Sequence, residues 1–257
     1  MCMSLLTKCI RMSQDHHGGR HRGERVIAIS QSNYIPWKGY FDLIAKADEF
    51  VIYDDVQFTR RDWRNRNLIK TAAGPNWVTI PIKSKGNYYQ TIRDTQIDGT
   101  EWADRHWKSI EQNYRKSKHF AEIRDLLQPM WLAENHRFLS DLNRSLITQI
   151  CQYLGIDTKI STSTEYHLDG NRSERLLNIV KQANGQVYLS GPAAQTYLDA
   201  PLFIEENVQV SWMDYSGYPS YPQLWGEFVH RVSIIDLLFN CGPESIKYMK
   251  YAGAAHQ

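Results

Sequence analysis

The residues best suited to chemistry gather early in the chain, between Gln31 and Asn67. Asp54-Asp55 closes a short apolar run. Such a pair could hold Mg²⁺ against phosphate, or one carboxylate could take a proton from an amine or hydroxyl. Soon after comes Thr59-Arg60-Arg61-Asp62-Trp63-Arg64-Asn65-Arg66-Asn67, with four arginines in seven residues. Guanidinium forks bind phosphate through paired hydrogen bonds, asparagine amides read hydroxyl and amide groups, and tryptophan offers a flat stacking face. The expected ligand is a diphosphate joined to a planar base or a sugar. The competing expectation is a solvated loop or helix whose arginines pair with Asp54, Asp55 and Asp62.

Other groups are weaker candidates. Ser190-Gly191-Pro192 stands at an expected strand-to-helix junction and could offer backbone N–H groups to an anion, Pro192 excepted. His167, His230 and Asp236 are acid–base types with no spacing that links them. Cys241 follows an expected helix C-terminus, where the dipole raises a thiol's pKa. His16, His17 and His21 lie in a Gly-rich polar tract without a scaffold, a poor setting for a metal.

The elements that must position these residues follow from periodicity. Val26-Ile27-Ala28-Ile29 suits a strand buried on both faces. After Pro36, the residues Trp37, Tyr40, Phe41, Leu43, Ile44 and Ala47 fall on one helical face. Phe50-Val51-Ile52-Tyr53 is a second strand, so a βαβ unit with parallel strands is expected. Ligands bind beyond the carboxyl ends of such strands, which puts Gln31-Ser32-Asn33-Tyr34 and Asp54-Asp55 on one edge. Further strands are expected over Trp77–Ile82, ended by the basic turn Lys83-Ser84-Lys85-Gly86, and over Ile92–Ile97, Lys159–Ser161, Gln186–Leu189 and Val208–Trp212. Helices are expected from Thr100-Glu101 through about Leu132, over Glu134–Tyr153, from Asn171 or Ser173 to Ala183, after Ala194, and over Val232–Phe239. Alternating strands and helices make the class α/β, Rossmann-like, with a mainly parallel sheet, helices on both faces and a helical insert near 100–155. Residues 1–24 are expected to be a disordered extension and 25–257 a single domain.

Composition narrows the function classes. A formal net charge of +2 over 257 residues gives no global reason to expect nucleic acid. Cys2, Cys9, Cys151 and Cys241 are widely spread, as in reduced cytoplasmic thiols rather than a disulfide frame or zinc site. No apolar run approaches the roughly 18 residues of a membrane helix, and no signal peptide is evident, so a cytoplasmic location without membrane insertion is expected.

Three stretches carry a family resemblance. Gln31-Ser32-Asn33-Tyr34-Ile35-Pro36-Trp37-Lys38-Gly39-Tyr40-Phe41-Asp42, Val51-Ile52-Tyr53-Asp54-Asp55-Val56-Gln57 and Arg64-Asn65-Arg66-Asn67 resemble the WbqC-like family. Tyr188-Leu189-Ser190-Gly191 and Ser233-Ile234-Ile235-Asp236-Leu237-Leu238-Phe239-Asn240 fit it as well, so the likeness spans about residues 26–245. Val229-His230-Arg231-Val232 stands where a proline is expected before Ser233, which bears on how the last helix begins. The resemblance implies a bacterial protein associated with surface polysaccharide (O-antigen) gene clusters. A second likeness is to nucleotidylyltransferases and pantothenate synthetases, whose His-x-Gly-His motif holds ATP phosphates after the first strand. Here Trp37-Lys38-Gly39-Tyr40 stands in that place without either histidine, although Lys38 could contact phosphate and Gly39 could admit close backbone approach.

Two functions are therefore expected. The first is an enzyme that modifies a nucleotide-activated amino sugar by acyl or aminoacyl transfer, as a transferase or an ATP-dependent ligase, with ATP or Mg²⁺ as possible cofactors. The second is a non-catalytic protein that binds a sugar nucleotide and contacts polysaccharide-assembly enzymes. In the first case Asp54 and Asp55 are the catalytic candidates. Ligand contacts are expected from Gln31, Asn33, Tyr34, Trp37, Lys38, Gly39, Tyr40 and Gln57, from Arg60, Trp63, Arg64, Asn65, Arg66 and Asn67, and from Ser190 and Gly191.

Overall fold

A computed structural model of the chain describes residues 23–132 and 136–252. The tail expected to be disordered, with Cys2, Cys9 and the three histidines, lies outside the described residues but for Gly23 and Glu24. Five strands form one parallel sheet: β1 (Val26–Ser30), β2 (Glu49–Ile52), β5 (Lys159–Thr162), β6 (Val187–Ser190) and β7 (Gln209–Trp212). Their order is β5-β2-β1-β6-β7, so the chain starts at the centre, builds outward through β2 and β5, then returns to the other side of β1. That reversal makes the gap between β1 and β6 a topological switch point. The fold is Rossmann-like α/β.

Side-chain alternation sorts the two faces of the sheet. Ile27, Ile29, Val51, Tyr53 and Tyr188 pack with α5 (Arg172–Gln182) and with Phe203 of α6 (Ala200–Glu205). Ala28, Phe50, Ile52 and Leu189 belong to the larger core on the opposite face. That core includes α1 (Lys38–Ala45), α2 (Glu101–Tyr114), α3 (Phe120–Leu132), α4 (Leu139–Tyr153) and α7 (Ile234–Cys241). Helix boundaries follow local chemistry: Asn171 caps α5 by accepting from the N–H groups of Ser173 and Glu174. The last helix opens at Ile234 rather than Val232, because Ser233 turns its hydroxyl oxygen to the Ile235 N–H.

Two expectations for the middle of the chain change. Arg66 begins β3 (Arg66–Thr71), which pairs antiparallel with β4 (Gly74–Thr79) as a separate hairpin. Ile92–Ile97 forms no strand; only single bridges join Gln57 to Thr91, Ile82 to Ile97 and Gln96 to Phe138.

The amino edge of the sheet carries a structural charge cluster. Glu49 is buried and accepts from Arg25 (2.7 Å), Lys159 (3.0 Å), Ser161 (2.7 Å) and Tyr166. Burial alone raises its pKa, but hydrogen bonds from Tyr166, Ser161, Lys159 and Arg25 outweigh that and hold it at about 2. A depressed carboxyl contributes stability above its ordinary value and loses it as acid protonates the folded state. Urea-unfolding stability is therefore expected to fall as the pH drops from 4.5 toward 2, with a shallower fall in that window for Glu49→Gln. Identical acid profiles for the two proteins would contradict this role.

Candidate functional site

The βαβ unit brings the first two candidate segments together at the carboxyl edge. The Ser32 N–H donates to Asp54 Oδ1 (2.8 Å), and the Ser140 hydroxyl, on α4, donates to Oδ2. Asp54 is buried; burial raises its pKa, opposed by the bonds from Ser140 and Ser32 and by nearby Arg64. Asp54 thus acts as a clamp on the loop after β1. Asn143 completes the clamp from α4, donating to Ser32 Oγ (3.1 Å) and to the Arg64 carbonyl (2.9 Å).

Arg64 is the arginine of its cluster that joins this edge. Its guanidinium donates to Asn33 Oδ1 and lies 3.5 Å from Asp62 Oδ2, while its side chain stays 15% exposed. A fork so braced is preorganised, and its outer N–H groups can meet an anion. After β2, Asp55 pairs with Arg93 and accepts from the Ser163 hydroxyl that follows β5.

Across the switch point stands an aromatic wall. Tyr40 donates to the Gln31 carbonyl (2.9 Å), and burial raises its pKa. Trp37 packs edge-on against Tyr215 (5.2 Å) and Tyr218 (5.6 Å). Half-exposed Gly191, following β6, lies beneath Tyr215: a Cβ there would meet the hydroxyl at 3.8 Å. The carboxyl edge therefore carries Asn33 and Arg64 after β1, Asp55 on the β2–β5 side, and Trp37 and Tyr215 with the Gly191 backbone on the β6 side.

Several expected ligand contacts support the edge from below instead. Tyr34 is fully buried, with its hydroxyl 2.9 Å from His106 Nδ1 and accepting from Trp131 Nε1 (2.7 Å). Asn65 donates to the Ile80 carbonyl, and Asn67 donates to the carbonyls of Tyr34 and Ile35. The latter bonds brace Ile35 at φ +37°, an unusual conformation for a β-branched residue and one that sets the bend before α1. Ser190 is buried and accepts from the Tyr188 hydroxyl. Lys38 is also buried, donating to the Pro219 carbonyl (2.9 Å) 5.0 Å from the ring centres of both Tyr218 and Tyr221. Burial pushes its pKa down to about 8, and with its ammonium so held it is a latch rather than a phosphate ligand. Gly39 admits no ligand: a Cβ there would come within 2.3 Å of the Trp37 ring, so the close approach is made by Trp37 itself.

The remaining arginine-cluster residues point elsewhere. Trp63 and Arg66 face outward against Trp77 of β4, and Arg60 lies 5.8 Å from the exposed Tyr88 ring. Gln57 donates to the Tyr88 carbonyl (2.8 Å). The Asp54-Asp55 pair does not fit Mg²⁺, because Ser32, Ser140, Arg93 and Ser163 already engage the two carboxylates. Among the described residues no group of three or more His, Cys, Asp or Glu could hold a metal ion. Cys151 and Cys241 are buried free thiols whose pKa burial raises, to about 11 for Cys241.

The sequence reading missed Ser140, Asn143, Ser163, Arg93 and the coil between β7 and α7. One signal was present for the coil: Tyr215, Tyr218 and Tyr221 recur among glycines and prolines just past the last strand, a position that faces the ligand edge.

No helix among the described residues is long and apolar enough to cross a membrane. No solved structure significantly resembles the chain. The Mycobacterium tuberculosis protein Rv1507c, itself uncharacterized, is 54% identical over 227 residues, covering 88% of this chain and 98% of that protein. The model of the WbqC-like protein family matches residues 31–248, from the loop that Asp54 clamps to the turn after α7. The chain belongs to the WbqC-like protein family.

Proposed function

We propose that this chain acts in bacterial surface polysaccharide (O-antigen) biosynthesis by holding a nucleotide-activated amino sugar at the carboxyl edge and transferring an acyl or aminoacyl group to its amine. The observation that carries this reading is the braced Arg64–Asn33 pair after β1, at the same carboxyl edge as the Trp37–Tyr215 ring pair beside Gly191. The fork suits a diphosphate, the ring faces suit a base or sugar, and Asn33 suits a hydroxyl or amide. In the transfer the sugar amine attacks the donor carbonyl carbon, a C–N bond forms and the donor's carrier leaves. Asp55 is the partly exposed carboxylate at this edge, suited to receive the amine proton. The cytoplasm, where nucleotide-activated sugars are made, is the compartment this reading requires.

One observation favours binding without chemistry. Both carboxylates already have partners, Asp54 in a buried clamp and Asp55 in an ion pair with Arg93. In that case the chain would present a sugar nucleotide to polysaccharide-assembly enzymes. Calorimetry with UDP-, GDP- and dTDP-linked amino sugars tests the shared claim: at least one is expected to bind with a 1:1 stoichiometry. Mass spectrometry of the bound sugar after adding an acyl donor then separates enzyme from carrier. If no sugar nucleotide binds, both readings fail.

A further inference from the structure

A second surface stands outside the crevice. Trp63 and Trp77 are 42% and 41% exposed, with ring centres 5.2 Å apart and planes tilted by 41°. The Arg66 guanidinium lies 4.1 Å from the centre of the Trp77 ring, donates to the Arg61 carbonyl, and leaves its buried Nε without a partner. Next to it, Arg60 reaches the Ser84 hydroxyl (3.5 Å) and the ring of Tyr88, which is 66% exposed, and Tyr89 is 88% exposed. Four large aromatic side chains in solvent on one hairpin and its adjoining loops are unusual unless they meet a partner.

Charge defines that partner. Residues 56–90 hold seven Lys and Arg but one carboxylate, Asp62, in a chain of net charge +2. Asp62 is itself engaged by Thr59 (2.7 Å) and Arg64. Lys70 is buried and Arg64 turns to Asn33, which leaves Arg66 on the Trp77 ring, Arg60 near that of Tyr88, and exposed Arg61, Lys83 and Lys85 in the adjoining loops. The occupant must be anionic and must carry a flat or apolar face.

We infer that Trp63, Trp77, Tyr88 and the cations between them form a docking platform for an acidic glycan, a saccharide chain bearing carboxylates. Pyranose rings lay their C–H faces on indole and phenol rings, while carboxylates at their rims meet guanidinium and ammonium groups. A single-stranded nucleic acid fits less well. The Trp63–Trp77 pair is closed to an intercalating base, and five cations make a short footprint for a ligand whose affinity comes from many phosphates. The choice of a glycan over other anions rests on the polysaccharide role proposed above, but the surface is distinct from the sugar-nucleotide crevice.

The test titrates the full chain with tetragalacturonate, following tryptophan fluorescence, alongside neutral cellotetraose and a dT8 oligonucleotide. Saturable binding of tetragalacturonate is expected, at least tenfold tighter than that of either control. Trp77→Ala is expected to weaken it about tenfold or more while leaving the thermal midpoint and sugar-nucleotide affinity nearly unchanged. Should Trp77→Ala unfold, the paired change Lys83→Gln with Lys85→Gln, both exposed, reads the charge contribution with an expected loss of severalfold. Equal affinity in the folded variants, no tetragalacturonate binding, or tighter binding of dT8 would overturn the platform. Sugar-nucleotide binding that survives such a failure leaves the crevice assignment standing, and the reverse result removes the crevice alone.

Discussion

Asp54→Ala is expected to lose about 3 kcal/mol of folding stability, because it strands two donors at a buried carboxylate site. The Ser32 N–H and the Ser140 hydroxyl both point at Asp54, and neither has another acceptor described at that place. For a chain of this size such a loss lowers the thermal midpoint by roughly 10 °C. Asp54→Asn should behave differently. The amide oxygen still accepts from Ser32, the NH₂ group can donate to Ser140 Oγ, and the burial that raises Asp54's pKa no longer acts on a charge. Its midpoint is expected to stay within about 3 °C of the parent, equivalent to roughly 1 kcal/mol. Thermal melts of the two variants side by side check this. If alanine is as harmless as asparagine, Asp54 is not the clamp and is free for other chemistry.

The contrast bears on what the sequence made legible. The βαβ unit was readable because Val26–Ile29 and Phe50–Tyr53 are compact β-branched or aromatic runs flanking a helical period, and both became neighbouring parallel strands. That placement alone puts Gln31–Tyr34 and Asp54-Asp55 at one edge. It could not say which side chains face outward there. Tyr34, Asn65 and Asn67 look like ligand-readers by type, yet each is buried and bonded to protein.

The expected strand over Trp77–Ile82 overlaps β4, but its partner β3 was hidden for a related reason. Arg66-Asn67-Leu68-Ile69-Lys70-Thr71 reads as polar, but Asn67 and Lys70 are turned inward. Lys70 Nζ donates to Gln223 Oε1 (2.8 Å) and to the Glu227 carbonyl, partners 153 and 157 residues away. No local pattern encodes a partner so distant. Likewise, the β7–α7 coil is fastened by Lys38 at Pro219, by Lys70 at Gln223, by Lys250 at Asp214 and Ser216, and by the Tyr221 hydroxyl at Asp236. Its shape comes from these long-range bonds rather than from any periodicity of its own.

The second large effect concerns Arg64, and it tests the central claim most directly. Its fork is braced by Asn33 and Asp62 at the switch point while remaining partly open to solvent. If it holds the diphosphate of a sugar nucleotide, Arg64→Ala removes a charge-assisted contact worth about 1.5–3 kcal/mol, a tenfold to hundredfold loss of affinity. An arginine engaged only in partly exposed pairing would instead cost about 0–1 kcal/mol of stability and nothing in binding. Arg64→Lys should recover part of the loss, because an ammonium keeps the charge without the two-pronged geometry. The decisive measurement is the calorimetric Kd of the best-binding sugar nucleotide for the parent chain, Arg64→Lys and Arg64→Ala, each first shown to be folded by its thermal melt. The account predicts affinities in that order, with at least a tenfold gap from parent to alanine. Equal Kd values for the parent and a folded Arg64→Ala would contradict it.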